Sequence, residues 1–137
     1  MKKILLLLVS LLTACAGEPP QNIGIQDGRL TPCPESPNCV SSFETDEEHS
    51  IAAIAANLDQ IERVLLGLDE AKIVEAGDNY LYAEFTSRLM GYVDDVEFLY
   101  DRVAAVTHVR SASRLGYGDM GVNRKRIEAI RSAIVTN

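Results

Sequence analysis

The chain has 137 residues, a formal net charge of −7 at pH 7, and a composition that is 47% hydrophobic and 24% charged. This length is enough for one domain with a real hydrophobic core and argues against a multidomain protein. The acidic balance argues against a nucleic-acid-binding protein, because no basic stripe dominates the sequence.

The first fourteen residues have the pattern of an export signal. Lys2 and Lys3 precede an apolar run over residues 4–12, which is the layout of a secretory signal peptide. The run is shorter than the roughly 20 apolar residues that a membrane-spanning helix requires. It ends in Leu12-Thr13-Ala14-Cys15, which resembles the bacterial lipobox, whose cysteine is acylated and becomes the mature N-terminus.

The tetrapeptide predicts a lipoprotein of the bacterial cell envelope that is anchored through lipid on Cys15. We expect palmitate among the acyl groups. Several acyl chains give a lasting anchorage that one chain does not. The alternative is an ordinary signal peptide in which Cys15 is incidental. Ala16 follows the cysteine, which resembles the pattern sorted to the outer membrane with the domain facing the periplasm. We expect a signal peptide over residues 1–14, a flexible tether over 15–26 and a single domain over 27–137.

The charges are distributed unevenly along the rest of the chain. Residues 15–101 contain 18 acidic and 4 basic side chains, whereas residues 102–137 contain 7 basic and 2 acidic side chains. We expect the basic C-terminal part to fold back onto the acidic part, so that opposite charges pair within the domain.

Two cysteines, Cys33 and Cys39, remain in an oxidising compartment and are six positions apart. A disulfide between them would close a short loop and contribute about 2 kcal/mol to stability. A metal site is the alternative reading, but the spacing is not Cys-x-x-Cys, and the chain has only two histidines, His49 and His108. We expect no metal and no cofactor.

After the cysteine loop, the sequence predicts a short strand at residues 40–43. A helix follows, with Ser50 as its N-cap and Gly67 at its end. A three-four spacing of apolar residues indicates the buried side of this helix, namely Ile51, Ile54, Ala55, Leu58, Ile61, Leu65 and Leu68. Four strands follow at residues 71–76, 80–88, 92–100 and 103–111. A last helix has one apolar side, formed by Ile127, Ile130 and Ile134.

The connections between the four strands are short, which requires neighbouring strands to be antiparallel. We therefore predict an α+β fold. It consists of an antiparallel β-meander of about four strands, with one helix before it and one after it, both packed on one face.

Alternation along the strands separates two faces of the sheet. The core face is expected to hold Leu81, Ala83, Phe85, Val96, Phe98, Tyr100, Ala105, Thr107 and Val109. The opposite face is expected to hold Glu84, Thr86, Arg88, Asp95, Glu97, His108 and Arg110. We expect this second face to be exposed to solvent, with cross-strand charge pairs worth about 0.2–1 kcal/mol each. A ligand-binding face is the alternative.

The loop before the last helix fits the pattern Gly-x-Gly-x-x-Gly at Gly116, Gly118 and Gly121. We exclude dinucleotide binding, because only 16 residues follow Gly121 and no second parallel strand can complete the unit. Backbone amides at a helix N-terminus nevertheless suit an anion. Arg124, Lys125 and Arg126 lie in the first turns of that helix, where the helix dipole disfavours cations.

The clustered arginines lead to a specific hypothesis. Arg110, Arg114 and Arg124, with the backbone of residues 118–123, are expected to form one electropositive site close to Asp94 and Asp95. The partner of the site is either internal, from Asp119, Asp94 or Asp95, or an external anion.

Three blocks of residues, 32–42, 87–98 and 109–128, resemble the family called domain of unknown function 1499. They include Pro-Cys-Pro-x-Ser-Pro-Asn-Cys in the first block and Ser-Arg-Leu-Gly-Tyr-Gly-Asp-Met-Gly-Val-Asn-Arg in the third. The resemblance runs from about Gly28 to Ile134 and implies no activity. The block residues carried over are Cys33, Asn38, Cys39, Arg88, Asp94, Asp95, Glu97, Phe98, Arg110, Ser111, Ser113, Arg114, Asp119, Asn123 and Arg124.

Three classes of function remain open. The first is a non-catalytic envelope module that binds an envelope protein or a small anionic ligand. The second is a small hydrolase with Asp95, Glu97 or His108 as acid–base groups, if burial shifts their pKa values. The third is a purely structural role for a buried polar network. A Ser-His-Asp arrangement is excluded, because His108 and Ser111 should face opposite sides of their strand.

Overall fold

The computed structural model describes residues 16–136, so the predicted signal peptide and Cys15 lie outside the described residues. One sheet of five antiparallel strands has the order β3-β7-β6-β5-β4, and a separate two-stranded hairpin precedes it. The elements in chain order are β1 (Ile25–Gln26), β2 (Arg29–Leu30), β3 (Cys39–Ser41), α1 (Leu58–Leu66), β4 (Ala71–Ala76), β5 (Tyr80–Thr86), β6 (Val93–Asp101), β7 (Val106–Ser113) and α2 (Val122–Thr136).

The predicted α+β meander is confirmed. Strands β4 to β7 follow one another along the chain and pair as neighbours, and both helices pack on one face of the sheet. The short strand β3 adds a fifth member, because it pairs antiparallel with β7 through Val40 and Ser111. None of the helices described between residues 16 and 136 is both long and apolar enough to span a bilayer.

The first helix begins later than predicted, and Ser50 is not its N-cap. The N-cap is Asn57, whose side chain accepts a hydrogen bond from the Gln60 amide while the Gln60 side chain accepts one from the Asn57 amide. Residues 51–56 are not helical, and Ile54 forms an isolated antiparallel bridge with Thr107. Ile51 and Ile54 are buried without being helical, and their spacing of three residues led to the wrong start of the helix. The predicted end of the helix, at Gly67, is confirmed.

The core lies between the sheet and the two helices. Leu81, Ala83 and Phe85 of β5 face it as predicted, together with Val96 and Phe98 of β6 and Val109 of β7. The prediction for Ala105 is wrong, because residues 102–105 form the β6–β7 turn and Ala105 has a φ of 54°. β7 therefore starts at Val106 and continues to Ser113, two residues beyond the predicted end.

The opposite face of the sheet is also covered, which we did not predict from the sequence. Leu30, Tyr80, Tyr82 and Leu99 form a second buried apolar cluster there, and Ile23 and Phe43 pack against it. The segment that leads into the hairpin contributes a polar contact, since the Gly24 amide donates to Glu97 Oε1 at 2.7 Å. Residues within the predicted tether thus lie on the sheet.

Candidate functional site

The centre of the second face is buried at Asp95, Glu97 and Arg110, so the prediction of a solvent-exposed face is wrong there, whereas Thr86 and Arg88 at its end are exposed as predicted. Asp95 is 1% exposed, Glu97 0% and Arg110 4%, because the hairpin segment and Phe43 cover them. Charged groups at this depth require partners, since an unpaired buried charge costs several kcal/mol. The arrangement of those partners defines the site.

Arg114 is the centre of the first cluster. Its Nε donates to Asp95 Oδ2 at 3.1 Å and its Nη2 to Asp95 Oδ1 at 2.6 Å, which is a two-pronged contact. The same Nη2 donates to Glu84 Oε1 at 2.8 Å. Glu84 and Asp95 are directly opposite each other on β5 and β6, so the strand register brings the two carboxylates to one guanidinium. We call Arg114, Asp95, Glu84 and Tyr82 the Arg114 cluster.

Tyr82 completes this cluster by donating its hydroxyl to Asp95 Oδ1 at 2.6 Å. Burial, followed by the hydrogen bond to Asp95, raises the pKa of Tyr82 well above its ordinary value of 10. The phenol therefore stays protonated and serves as a donor. Both carboxylate oxygens of Asp95 contact Arg114, so neither oxygen is free to contact a substrate.

Glu97 and Arg110 form a looser pair deeper in the same face. Glu97 Oε1 accepts hydrogen bonds from the Tyr80 hydroxyl at 2.8 Å and from the Gly24 amide at 2.7 Å. Arg110 Nη1 lies 3.5 Å from Glu97 Oε2, yet Glu97 Oε2 and Arg110 Nε have no hydrogen-bond partner within the described part of the chain. Burial raises the pKa of Glu97, and the contacts with Gly24, Tyr80 and Arg110 only partly oppose it.

A separate network lies on the helix face. Arg126 Nη2 donates to Asp94 Oδ2 at 2.5 Å, and its guanidinium stacks over Phe85 at 4.8 Å from the ring centroid. The same guanidinium donates to Asn123 Oδ1 at 2.8 Å. Arg126 was not among the predicted site residues, although it lies three positions after Asn123 on α2, the spacing that places two helical side chains side by side.

Asn123 joins the last helix to the sheet. The Ser111 hydroxyl donates to Asn123 Oδ1 at 2.6 Å, and Asn123 Nδ2 donates to Ser113 Oγ at 3.0 Å and to the Asn38 carbonyl at 3.2 Å. Asn123 is fully buried. These contacts make it the point where β3, β7 and α2 are held together.

Asp119 caps this helix from the preceding loop. It accepts from the backbone amides of Gly121, at 2.9 Å, and Asn123, at 3.0 Å, and from Asn123 Nδ2 at 2.9 Å. Partial burial works against its charged form, but these hydrogen bonds outweigh burial and lower the pKa of Asp119. An internal carboxylate therefore occupies the helix N-terminus that we considered for an external anion.

The structure does not bring the predicted arginines into one site. Arg110 and Arg114 lie on the hairpin side of the sheet, whereas Arg124 lies on the helix side and donates to the carbonyls of Ser50, at 2.8 Å, and Glu48, at 3.0 Å. Its partner is neither Asp119 nor Asp94 nor Asp95. Arg88 is 83% exposed and lies 3.9 Å from Asp69. The two aspartates are also separated, because neighbouring residues of β6 face opposite sides.

His108 and Ser111 face opposite sides of β7, as predicted, since Ser111 contacts α2 and His108 stacks on Phe43 at 4.3 Å between ring centroids. The serine beside His108 is Ser42, with Oγ 3.1 Å from Nδ1. Ser42 Oγ also accepts from the Val109 amide at 2.9 Å, which gives it a structural role at the β3–β7 edge. Sequence reasoning missed Ser42, because no spacing relates it to His108.

The disulfide between Cys33 and Cys39 is confirmed. It closes the loop that enters β3, and the loop is held further by His49, whose Nε2 lies 3.2 Å from the Ser36 carbonyl and Nδ1 2.8 Å from Asp46 Oδ1. Burial opposes the charged imidazole, but these acceptors outweigh it and raise the pKa of His49. Residues 16–136 contain no group of three or more His, Cys, Asp or Glu side chains placed to hold a metal ion.

The chain matches the family model described as "Protein of unknown function (DUF1499)" over residues 29–134. That range contains the five-stranded sheet, α1, most of α2, the disulfide and the buried polar groups. No curated protein and no solved structure was found to match the chain. The match covers well over half of the sequence, and the chain therefore belongs to the DUF1499 family, whose description assigns it no function.

Proposed function

We propose that the protein is a lipoprotein of the bacterial cell envelope, anchored through lipid on Cys15 and facing the periplasm from the outer membrane. The support is the charged start, the apolar run over residues 4–12 and the tetrapeptide Leu12-Thr13-Ala14-Cys15. The disulfide is in keeping with this location, because structural disulfides persist in oxidising compartments.

We further propose that the anchored domain is a non-catalytic binding or structural module. One observation carries this: Arg114 on the buried face is fully engaged with the carboxylates of Asp95 and Glu84. Arg114 is bound to Asp95 and Glu84 at 3.1 Å or less, and its side chain is 5% exposed. A group that is to bind a substrate or move a proton needs an open position, and Asp95 has both oxygens occupied by Arg114.

A small hydrolase is the second candidate, and Glu97 is the observation that favours it. A buried carboxyl with a raised pKa and one unpartnered oxygen is the kind of group that acts as a general acid. Gly24 and the hairpin cover this carboxyl, so the hydrolase would require residues 16–30 to move aside. The test is hydrolysis of ester and glycoside substrates by the native chain and by Glu97→Gln. The hydrolase reading expects the native chain to be active and the variant to be inactive. An active Glu97→Gln variant would show that Glu97 is not the general acid.

The membrane anchor is tested by changing the acylated cysteine. We expect the native chain to fractionate with membranes and its intact mass to include acyl groups on a new N-terminal Cys15. Cys15→Ser should leave the chain unprocessed or release it. The matched control is Cys33→Ser/Cys39→Ser, which removes the disulfide and should leave acylation unchanged. A mature chain without acyl groups would refute the anchor.

A further inference from the structure

Two loops leave the same end of the sheet. The β5–β6 loop spans residues 87–92, and the β7–α2 loop spans residues 114–121. They are neighbours because Ser113 pairs with Asp94 at the start of β6, and the Arg114 amide donates to the Val93 carbonyl at 3.1 Å.

These loops carry an unusual share of exposed apolar surface. Residues 16–136 have twelve large hydrophobic side chains that are exposed, and six of them lie in these two short loops. Leu89 is 92% exposed and Met120 is 93% exposed. A concentration of exposed apolar side chains marks an interaction surface, whereas single ones need no explanation. We call the six the apolar tip: Leu89, Met90, Tyr92, Leu115, Tyr117 and Met120.

The N-terminal segment starts beside the apolar tip. The Gly17 carbonyl accepts from Arg114 Nη1 at 3.5 Å, and the Leu115 side chain packs so closely that a Cβ on Gly17 would lie 3.0 Å from its Cγ. Gly17 also has a φ of 69°, so glycine suits the position for two reasons. Cys15 precedes Gly17 by two residues, which is a covalent limit of roughly 8 Å between their Cα atoms.

We propose that the apolar tip is a membrane-docking surface that sits in the phospholipid bilayer interface beside the lipid anchor. The proposal rests on the proposed anchor at Cys15, because the anchor would emerge at this end. Tyr92 and Tyr117 suit the membrane–water interface, because a tyrosine ring can lie among apolar chains while its hydroxyl contacts water. The domain is thereby held in one orientation instead of swinging on a tether.

The two ends of the sheet carry similar charges. The loops of the apolar tip hold one acidic residue, Asp119, whose carboxylate is occupied by the amides of Gly121 and Asn123, and one exposed base, Arg88. The turns at the other end of the sheet, residues 77–79 and 102–105, contain Asp78 and Arg102, and Asp101 ends β6 beside them. Asp69 and Glu70 lie at the same end as the tip, where Arg88 is 3.9 Å from Asp69. Charge therefore does not distinguish the two ends, and the proposal rests on the exposed apolar side chains and on the position of Gly17.

The test uses full-length acylated protein reconstituted in vesicles of phosphatidylcholine and phosphatidylglycerol with brominated acyl chains. The chain contains no tryptophan, so one introduced tryptophan reports one place. We expect Leu89→Trp and Met120→Trp to show blue-shifted emission that the bromines quench. Val103→Trp is the matched control, because Val103 is 98% exposed in the β6–β7 turn at the opposite end, and it should show neither effect.

Equal quenching at the three positions, or none at Leu89 and Met120, would overturn the proposal. So would a blue shift that grows with protein concentration in the absence of vesicles, since a second copy would then cover the tip. Failure of the anchor is recognised separately, by the absence of acyl groups in the intact mass. In that event the same tryptophan variants are titrated with vesicles as unacylated chains, and a blue shift at Leu89 and Met120 alone still supports the docking surface.

Discussion

Replacing Arg114 should be among the most destabilising changes in the domain. Arg114→Met leaves Asp95 buried with the Tyr82 hydroxyl as its remaining hydrogen-bond donor, and Glu84 loses its ion-pair partner as well. Removing one member of a buried ion pair costs about 3–5 kcal/mol, because the charge left behind is neither solvated nor compensated. For a domain of this size that corresponds to a fall of about 10–20 °C in the melting temperature.

A double-mutant cycle separates the ion pair from the packing of the arginine stem. Asp95→Leu combined with Arg114→Met removes both charges, and apolar replacements of a whole buried pair are often neutral. We therefore expect the double variant to be more stable than Arg114→Met alone. Arg88→Met is the matched control, because the Arg88 side chain is 83% exposed and lies 3.9 Å from its partner, and it should change stability by less than about 0.5 kcal/mol.

Urea and thermal unfolding followed by far-ultraviolet circular dichroism give these numbers, with and without phosphate or citrate. If Arg114→Met does not fold, Arg114→Lys keeps the charge but lacks the planar fork, and an intermediate loss is expected. The reasoning would be refuted by an Arg114→Met variant as stable as Arg88→Met, or by a native chain that phosphate or citrate stabilises in an Arg114-dependent way. The first result would show that the buried ion pair adds no net stability, and the second would make Arg114 a ligand-binding residue.

Two further predictions concern stability. Cys33→Ala/Cys39→Ala should lower the free energy of unfolding by about 2 kcal/mol, the chain-entropy value for so short a loop, and a loss below that of Arg88→Met would contradict it. Burial raises the pKa of Glu97 above its ordinary 4.5, so the folded chain retains a proton that the unfolded chain releases. This contribution is therefore lost as the pH rises from below 4.5 towards the folded pKa. Urea titrations across that range should show the loss in the native chain but not in Glu97→Gln, and equal pH slopes in both would contradict it.

The strands were predictable because turns and alternation agree in this part of the chain. Residues 71–76 were predicted as a strand and form β4 with those bounds, and the following turn at residues 77–79 is as short as a hairpin requires. The meander then follows from the short connections alone. The error at β7 arose because the turn at residues 102–105 contains Val103 and two alanines, which carry no turn signal in sequence.

The start of α1 shows how two periods can be superimposed. Ile51, Ile54, Leu58 and Ile61 have helical spacing, but Ile54, Ala56 and Leu58 also alternate, and the segment before Asn57 is not helical. Both patterns bury the same residues, so periodicity could not separate them. The capping pair of Asn57 and Gln60 was the deciding local signal, because an Asn three residues before a Gln satisfies two backbone amides at a helix start.

Burial of the polar face could not be read from the sequence. The segment that covers it, residues 16–30, has neither a helical nor an alternating pattern, and its longest contact spans 97 residues of sequence. One sign was present: Tyr80 and Tyr82 alternate with the core residues of β5 and therefore lie on the same face as Glu84. Large aromatic rings on a supposedly exposed face indicate that something packs against them.

The buried charges also position the N-terminal segment. Glu97 accepts the Gly24 amide, and Arg114, already fixed by Asp95 and Glu84, donates to the Gly17 carbonyl. A fully apolar sheet face would bury the hairpin equally well, but it would offer no directional partner to two backbone groups in an irregular segment. The polar network thus determines where the chain enters the domain. With the anchor that we propose at Cys15, two residues before Gly17, the point of entry would determine which end of the sheet faces the membrane.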